Sequence, residues 1–265
     1  MKNLKFILVA ILAFATIFSI TSCEEEDEST PGPLTLHFEN RAGSSTLNFG
    51  QAYTNEAGES LTFSTFNYYI SNIKLKKADG TYYTVPKDSS YFLIDGADNE
   101  SHEITLNDVP GGDYVGFEFV LGVDSLKSAS DIGQRTGVLD PAGAAQGMYW
   151  MWNSGYIFVK VEGTSPEVTE VDGAFFYHIG GYGGYSSPTI NNLKNISLEA
   201  ENNEKASVSK DAHPEVHIYT DVLEVFKSPN SLSVAQTPMV MFSPESTDIA
   251  NNYADMFSIN HIHND

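Results

Sequence analysis

The sequence predicts an all-β protein, an antiparallel β-sandwich with a few short helices. Short segments rich in β-branched and aromatic residues recur along the chain, and turn clusters such as "VPGGDY" and "EVDGAF" separate them. Helical periodicity is scarce. About 230 residues follow Pro33, which is enough for one large all-β domain, and no linker-like break or fixed-period repeat divides them. We therefore expect a single domain over residues 34–265.

The strand predictions follow from alternation and composition. Apolar and polar residues alternate in "LTLHF" at 34–38, and "LTFSTFNYYISNIKL" at 61–75 leads to Asp79-Gly80, a pair typical of hairpin turns. Six further strands are predicted in "YFLID", "HEITLNDV", "DYVGFEFVLGVD", "YIFVKVEG", "GAFFYHI" and "NISLEA". Short helices are predicted at 125–131, 220–227 and 245–256.

Residues 1–22 predict an export signal. Lys2 and Lys5 precede the apolar run "FILVAILAFATIF", which is too short for a transmembrane helix. The following "ITSC" resembles the lipobox of bacterial lipoproteins, in which Cys23 would become the lipidated first residue; a plain signal peptide that happens to contain a cysteine is the alternative. Cys23 is the only cysteine of the chain, so the exported domain must fold without an intramolecular disulfide.

Residues 23–33 predict an acidic tether. Glu24 to Glu28 form an unbroken acidic run, and dense like charge with low hydrophobicity opposes a packed structure. Such a run directly after a lipidated cysteine resembles the surface-export signal of lipoproteins from Bacteroidota-type bacteria. We therefore expect an outer membrane lipoprotein that is exposed at the cell surface. The formal net charge of −21 argues against nucleic acid as a partner.

Both tryptophans of the chain lie in "GMYWMWNSGYIF", residues 147–158. In a strand, Trp150 and Trp152 would share one face at a spacing of about 6.6–7 Å. That face is the less apolar one if alternation continues without a break, and the indoles would then form an exposed aromatic surface. A bulge near Ser154-Gly155 would instead exchange the two faces and place the indoles in the core.

The same stretch carries a family resemblance. "GVLDPAGAAQGMYWMWNSGYIFVKVEG", followed by "FFYHIGG", resembles the central block of the MbnP-like family of copper-binding proteins, the methanobactin-partner-like lipoproteins. "FNYYISNIKL", "YFLID" and "PGGDYVGFEFVLGVD" upstream, and "NNYADMFSINHIH" at the end, also fit the family pattern, and all occur in the family's order. The resemblance extends from Leu34 to His263.

The resemblance implies copper chemistry at a tryptophan. In better-studied relatives, a tryptophan here is oxidised to kynurenine by a MauG-like dihaem peroxidase, and it then holds copper together with imidazoles. This implies Trp150 as the oxidised residue and as a metal ligand, with Trp152 as the second candidate for oxidation. Trp152 stands where relatives with the best-defined site carry histidine, and an indole cannot replace an imidazole ligand. Copper favours imidazole donors.

Three histidines are the leading candidate ligands. His178, in "FFYHIGGYGG", lies at a predicted strand end and belongs to the family block; a partly buried structural histidine is the alternative. His261 and His263 occupy alternate positions in "NHIHND", so an extended backbone places both imidazoles on one face within chelating distance. For this pair, the alternative is a solvated tail.

His37 and His217 are weaker candidates. His37 lies on the first predicted strand, either at the edge of the core or as a ligand. His217 follows His213 in "HPEVH", but Pro214 opposes a helical zincin-like arrangement, and in an extended chain the two imidazoles would lie about 13 Å apart. Only His217 of this pair is therefore a candidate ligand.

The preferred interpretation is a tethered, non-catalytic copper-binding protein that captures or sequesters extracellular copper. No nucleophile–base pair with the spacing of a catalytic motif was found in the sequence. Two alternatives stay open. A glycan- or peptide-binding surface lipoprotein would use an exposed Trp150/Trp152 face, and an adhesive or structural sandwich would bury these aromatic residues.

Overall fold

A computed structural model of the protein describes residues 30–152 and 155–264. It confirms the predicted β-sandwich with few short helices: a five-stranded sheet and an eleven-stranded sheet enclose a common hydrophobic core. The predicted signal peptide, Cys23 and the tether as far as residue 29 lie outside the described residues. So does Ser154, where a bulge is predicted.

All the predicted strands are present among the sixteen strands of the described residues. In chain order these are β1 Gly32–Ala42, β2 Ser45–Thr46, β3 Ala52–Thr54, β4 Ser60–Lys77, β5 Tyr82–Thr84, β6 Tyr91–Asp95, β7 Glu103–Val109, β8 Gly112–Leu121, β9 Tyr149–Trp150, β10 Gly155–Thr164, β11 Ala174–Gly180, β12 Lys194–Glu199, β13 Ala206–Val208, β14 Glu215–Asp221, β15 Met239–Val240 and β16 Phe257–His263.

The smaller sheet has the strand order β16-β14-β1-β2, and β7 also pairs with β1. Its β1 strand alternates strictly, so that Leu34, Leu36 and Phe38 are buried while the residues between them are half-buried. β1 and β14 pair in parallel, unlike the antiparallel pairing expected. The sequence separation explains this difference: the chain forms all of the larger sheet except β15 between these two strands, so no hairpin constrains their direction.

The larger sheet has the strand order β12-β8-β4-β10-β11-β15, with the shorter strands paired at its margins. Its 18-residue β4 strand pairs with both β8 and β10. The predicted hairpin turn joins β4 to β5: Gly80 has φ 84°, and the backbone N–H of Thr81 donates to Asp79 Oδ1 at 2.8 Å. A left-handed φ of this kind is the reason that the turn carries glycine.

Aromatic rings from both sheets interlock in the core. Phe38 of β1 makes edge-to-face contacts with Tyr68, Phe119 and Phe257, at centroid distances of 6.3, 6.3 and 6.4 Å. Such pairs favour one arrangement beyond the burial of their area. Packing in the core therefore fixes the inward orientation of these β1 side chains. Because side chains alternate along a strand, the residues between them point outward.

The three predicted helical segments each contain a shorter helix. These are α1 at Ser125–Ser128, a 3₁₀ helix at Val222–Phe226 and α2 at Glu245–Tyr253. Asp124 caps α1, since its carboxylate accepts from the backbone N–H groups of Leu126 and Lys127. Within the described ranges, no helix is both long enough and apolar enough to cross a membrane.

Candidate metal centre

Three histidines face one another across adjacent strands of the smaller sheet. His37 of β1 lies opposite His217 of β14, and His217 lies opposite His261 of β16. The neighbours Leu36 and Val216 point into the core, so alternation turns these imidazoles to the outer face. Strand register thus places side chains that are distant in sequence in one line across the sheet.

A β-bulge in β16 completes this line. His217 pairs with His261, whereas Ile218 pairs with Ile259, so Asn260 is the additional residue of β16. Ile259 packs against the core, and Asn260 hydrogen-bonds to Nδ1 of His261 at 2.5 Å. Because the bulge absorbs Asn260, Ile259 faces inward while His261 and His263 face outward.

The imidazoles of His217, His261 and His263 form a compact triad. One ligand nitrogen from each can be chosen so that all three lie within 4.8 Å of one another. The rings of His217 and His261 are stacked at 4.2 Å, and the Nε2 atoms of His261 and His263 lie 2.9 Å apart. Two nitrogens that each lie ≈ 2.0–2.1 Å from one metal ion are roughly 3.3 Å apart at a tetrahedral angle. The triad therefore needs only small adjustments to hold one ion.

A second triad shares His217. Oε1 of Glu215 lies 2.9 Å from Nδ1 of His37 and 3.2 Å from Nε2 of His217, and these three residues also form a potential ligand group. We call the five residues of the two triads the histidine centre: His37, Glu215, His217, His261 and His263. Glu215 is the member that the sequence analysis missed. Its signal was its position two residues before His217, which places both on one strand face.

Electrostatics favours a neutral His217. Burial lowers the pKa of its imidazole, and the like charges that protonated His261, His37 and His263 would carry lower it further, against the attraction of Glu215. A neutral imidazole is the form that binds a metal ion. His217 is also common to both triads, so it is the central residue of the histidine centre.

The two tryptophans have different environments. Trp150 is only 5% exposed, whereas Trp152 is 65% exposed, and their rings are tilted at a centroid distance of 5.5 Å. The two alternatives for the pair, an exposed aromatic face and burial in the core, each hold for one indole: Trp150 is buried and Trp152 is exposed. β9 ends at Trp150, so strand alternation does not extend to Trp152.

Trp150 lies against β11 near His178. A Cβ atom at Gly180 would be 2.8 Å from Cζ3 of Trp150, so only glycine accommodates the indole there. His178 and Gly180 are alternate residues of β11 and face away from the core residues Tyr177 and Ile179. Trp150 and His178 therefore lie on the same face of the larger sheet.

His178 is held by a carboxylate. Its Nε2 lies 2.7 Å from Oε1 of Glu162, and Glu162 also accepts from Thr65 at 3.0 Å and pairs with Lys160 at 3.3 Å. Burial lowers the pKa of His178, and the Lys160 charge adds to this effect while Glu162 opposes it. The nearby ammonium of Lys160 also disfavours a bound cation. In the described part of the chain, His178 belongs to no group of three potential ligands.

The structure thus divides the predicted ligands into two sets. His37, His217, His261 and His263 lie together in the histidine centre, on the smaller sheet. Trp150 and His178 lie on the larger sheet; together with Glu162 and Lys160 we call them the Trp150 region. The donor chemistry of the histidine centre fits copper, because imidazole is one of its preferred ligands.

A β-sandwich with an outward cluster of imidazoles defines a candidate metal-binding protein of the all-β class. The family model described as MbnP matches residues 31–242, and the chain belongs to this family. The structure is similar to that of MbnP from Methylosinus trichosporium, with a TM-score of 0.53 and 17% identity over 75% of this chain and 78% of that one. No curated protein matches the chain.

Family membership does not by itself account for the whole histidine centre. The matched segment includes His37, Glu215 and His217 but ends before His261 and His263. Two of the three imidazoles of the compact triad are thus contributed by β16, the last strand. The likeness to the solved structure, at its low identity, concerns the fold alone.

Proposed function

We propose that this protein binds copper at the triad of His217, His261 and His263 and captures copper outside the cell. The observation that carries the proposal is the grouping of three imidazole nitrogens within 4.8 Å on one sheet face. Membership of the MbnP family, which is associated with copper, supports the choice of metal. Imidazole also suits zinc, but a given nitrogen site binds Cu²⁺ more tightly than Zn²⁺.

The proposed role is binding rather than catalysis, at a cell-surface address. A lipid anchor on Cys23, followed by the acidic run, would hold the domain at the outer face of the outer membrane. The lipobox-like "ITSC" supports this anchor. Copper would then be bound before it meets the cell envelope.

Oxidation of Trp150 to kynurenine by a MauG-like dihaem peroxidase is a separate part of the proposal. It is supported by the family resemblance of the "GMYWMWNSGYIF" block. We expect Trp150 rather than Trp152 to be modified, and the modification to leave the histidine triad unchanged, because Trp150 belongs to the other sheet. Peptide mass mapping of protein from the native host tests this: an unmodified Trp150 there would refute it.

Copper titration tests the binding proposal. Isothermal titration of the wild-type protein with Cu²⁺, and with Cu⁺ under reducing conditions, should give one high-affinity equivalent. The His261→Ala, His263→Ala double variant should lose that equivalent. His213→Ala is the matched control, because His213 is an exposed histidine just before β14 and belongs to neither triad. Equal affinity of the wild type and the double variant would refute the triad.

A further inference from the structure

A cavity beside Trp150 has no role in the proposed copper chemistry. It measures about 180 Å³ and is lined by the aromatic residues Trp150, Tyr182, Tyr185 and Phe242 and by the hydroxyl residues Ser187 and Thr189, among others. An apolar cavity of about 150 Å³ holds one benzene molecule. The volume therefore suits one six-membered ring rather than an extended chain.

The loop that forms one side of this cavity is held in place by backbone hydrogen bonds. An isolated bridge pairs Tyr182 with Asn191, and the backbone N–H of Thr189 donates to the carbonyl of Gly183 at 3.0 Å. Gly184 has φ 85°, and a Cβ there would lie 2.1 Å from the carbonyl oxygen of Ser187. This tight turn presents hydroxyl groups at the cavity through a fixed backbone.

Trp150 contributes an aromatic surface to the cavity. The residue is only 5% exposed, and its Nε1 atom is buried. A ligand in the cavity would therefore contact the indole ring and not its N–H group.

The charge of the lining selects the ligand class. No Asp, Glu, Lys, Arg or His is among the described residues that line the cavity, although the chain carries a net charge of −21. Ions are therefore not the expected occupants. Aromatic faces together with hydroxyl groups are complementary to a neutral ring that has C–H faces and hydroxyl groups at its edge.

We propose that this cavity binds a neutral pyranose ring, either as a free monosaccharide or as the end residue of a glycan. Aromatic side chains would pack on the ring faces, and the hydroxyl groups of Ser187 and Thr189 would hydrogen-bond to the hydroxyl groups at the edge of the ring. The site is independent of the histidine centre, because the two lie on different sheets. Copper binding and sugar binding can therefore fail separately.

Tryptophan fluorescence can report ligand binding at this site. Trp150 and Trp152 are the only tryptophans, so Trp152→Phe leaves Trp150 as the sole indole fluorophore. This variant, with Trp150 verified as unmodified by intact mass, is titrated with glucose, galactose, mannose and N-acetylglucosamine. At least one of these should change the Trp150 emission saturably, and open-chain sorbitol should not.

Substitution tests whether the response comes from this cavity. Tyr185→Ala should weaken sugar binding roughly three- to tenfold, the range for one aromatic contact, without changing copper affinity. Tyr82→Ala, at another exposed tyrosine, is the matched control. A stronger response to an oligosaccharide than to its end monosaccharide would assign the site to glycans, and the reverse would assign it to free sugars. No saturable response to any sugar, saturation by benzene alone, or equal binding by Tyr185→Ala would overturn the proposal.

Discussion

The histidine centre and the Trp150 region both contain imidazole, yet their surroundings differ. In the histidine centre, four imidazoles and one carboxylate meet across three strands, and none of these five residues is a lysine or an arginine. In the Trp150 region, one histidine is held by Glu162, which also pairs with Lys160. We therefore expect a cation to bind where several neutral donors share a face, rather than at a single histidine that belongs to a family block.

The largest expected effect concerns folding in the Trp150 region. Trp150→Ala should lower the free energy of unfolding by about 3–5 kcal/mol, the usual range for removing a buried tryptophan. Trp152→Ala should change it by less than about 0.5 kcal/mol, because its side chain is exposed. Urea denaturation followed by circular dichroism measures both. Equal destabilisation by the two variants would contradict the distinction between a buried and an exposed indole.

The second-largest expected effect is a difference in copper affinity between variants of the two regions. His217→Ala should weaken copper binding by at least about 100-fold, since residues that only orient metal ligands already contribute 10–100-fold and His217 belongs to both triads. His178→Ala should leave copper affinity unchanged, although the family block made His178 a leading candidate ligand. Competition titration with a chelator of known affinity measures both variants. A large loss in His178→Ala alone would move the copper site to the Trp150 region.

A smaller effect is expected at Asn260. Asn260→Ala removes the amide that contacts Nδ1 of His261. When Nε2 of His261 binds the ion, this amide must turn its oxygen to accept from Nδ1–H, and the loss of such an orienting partner should weaken copper binding about tenfold. Asn195→Ala provides the control, because Asn195 is exposed on β12, in the other sheet. The same competition titration applies. An unchanged affinity would show that the bulge alone positions His261.

Much of the fold follows from local sequence, and the candidate site follows only in part. Alternation in "NHIHND" predicts that His261 and His263 share one strand face, and both lie on the outward face of β16. His37 was left open between the core edge and a ligand, and it lies between the buried Leu36 and Phe38 on β1. The register that aligns His37 with His217 joins strands about 180 residues apart, and it depends on how the whole core packs. Local patterns carry no information on such pairing. The same pairing brings Glu215 next to His37, a contact that the local sequence does not indicate.

The tryptophan stretch has a distinctive sequence, yet its structure could not be predicted from that sequence. Its composition is prominent and its family block is recognisable, but one local feature and one contact with a distant strand determine its structure. β9 contains only Tyr149 and Trp150, and Trp150 packs on the Cα of Gly180, a residue 30 positions further along the chain. A prediction based on continuous alternation has no means of finding a strand end of this kind.

The smallest expected effect is the pH dependence of stability that arises from His178 and Glu162 in the Trp150 region. Burial lowers the pKa of His178, an effect that Glu162 only partly offsets. Burial would raise the pKa of Glu162, but hydrogen bonds from His178 and Thr65 and the charge of Lys160 outweigh it and hold this pKa below its usual value. In both cases the unfolded chain binds more protons than the folded chain between the folded and unfolded pKa values. The free energy of unfolding therefore falls as pH decreases through each interval.

Two variants separate these contributions. His178→Gln should remove the contribution of His178 to the stability loss that begins as pH falls below the ordinary histidine pKa of about 6.5. Glu162→Gln should remove the contribution of Glu162 to the loss that begins below the ordinary glutamate pKa of about 4.3. Glu118→Gln, which removes an exposed carboxylate paired with Lys74, is the control for a general change in charge. Urea denaturation at a series of pH values measures the effect. Parallel stability curves for the wild type and His178→Gln above pH 5 would show that His178 remains free to bind a proton, and this would make it available again as a ligand.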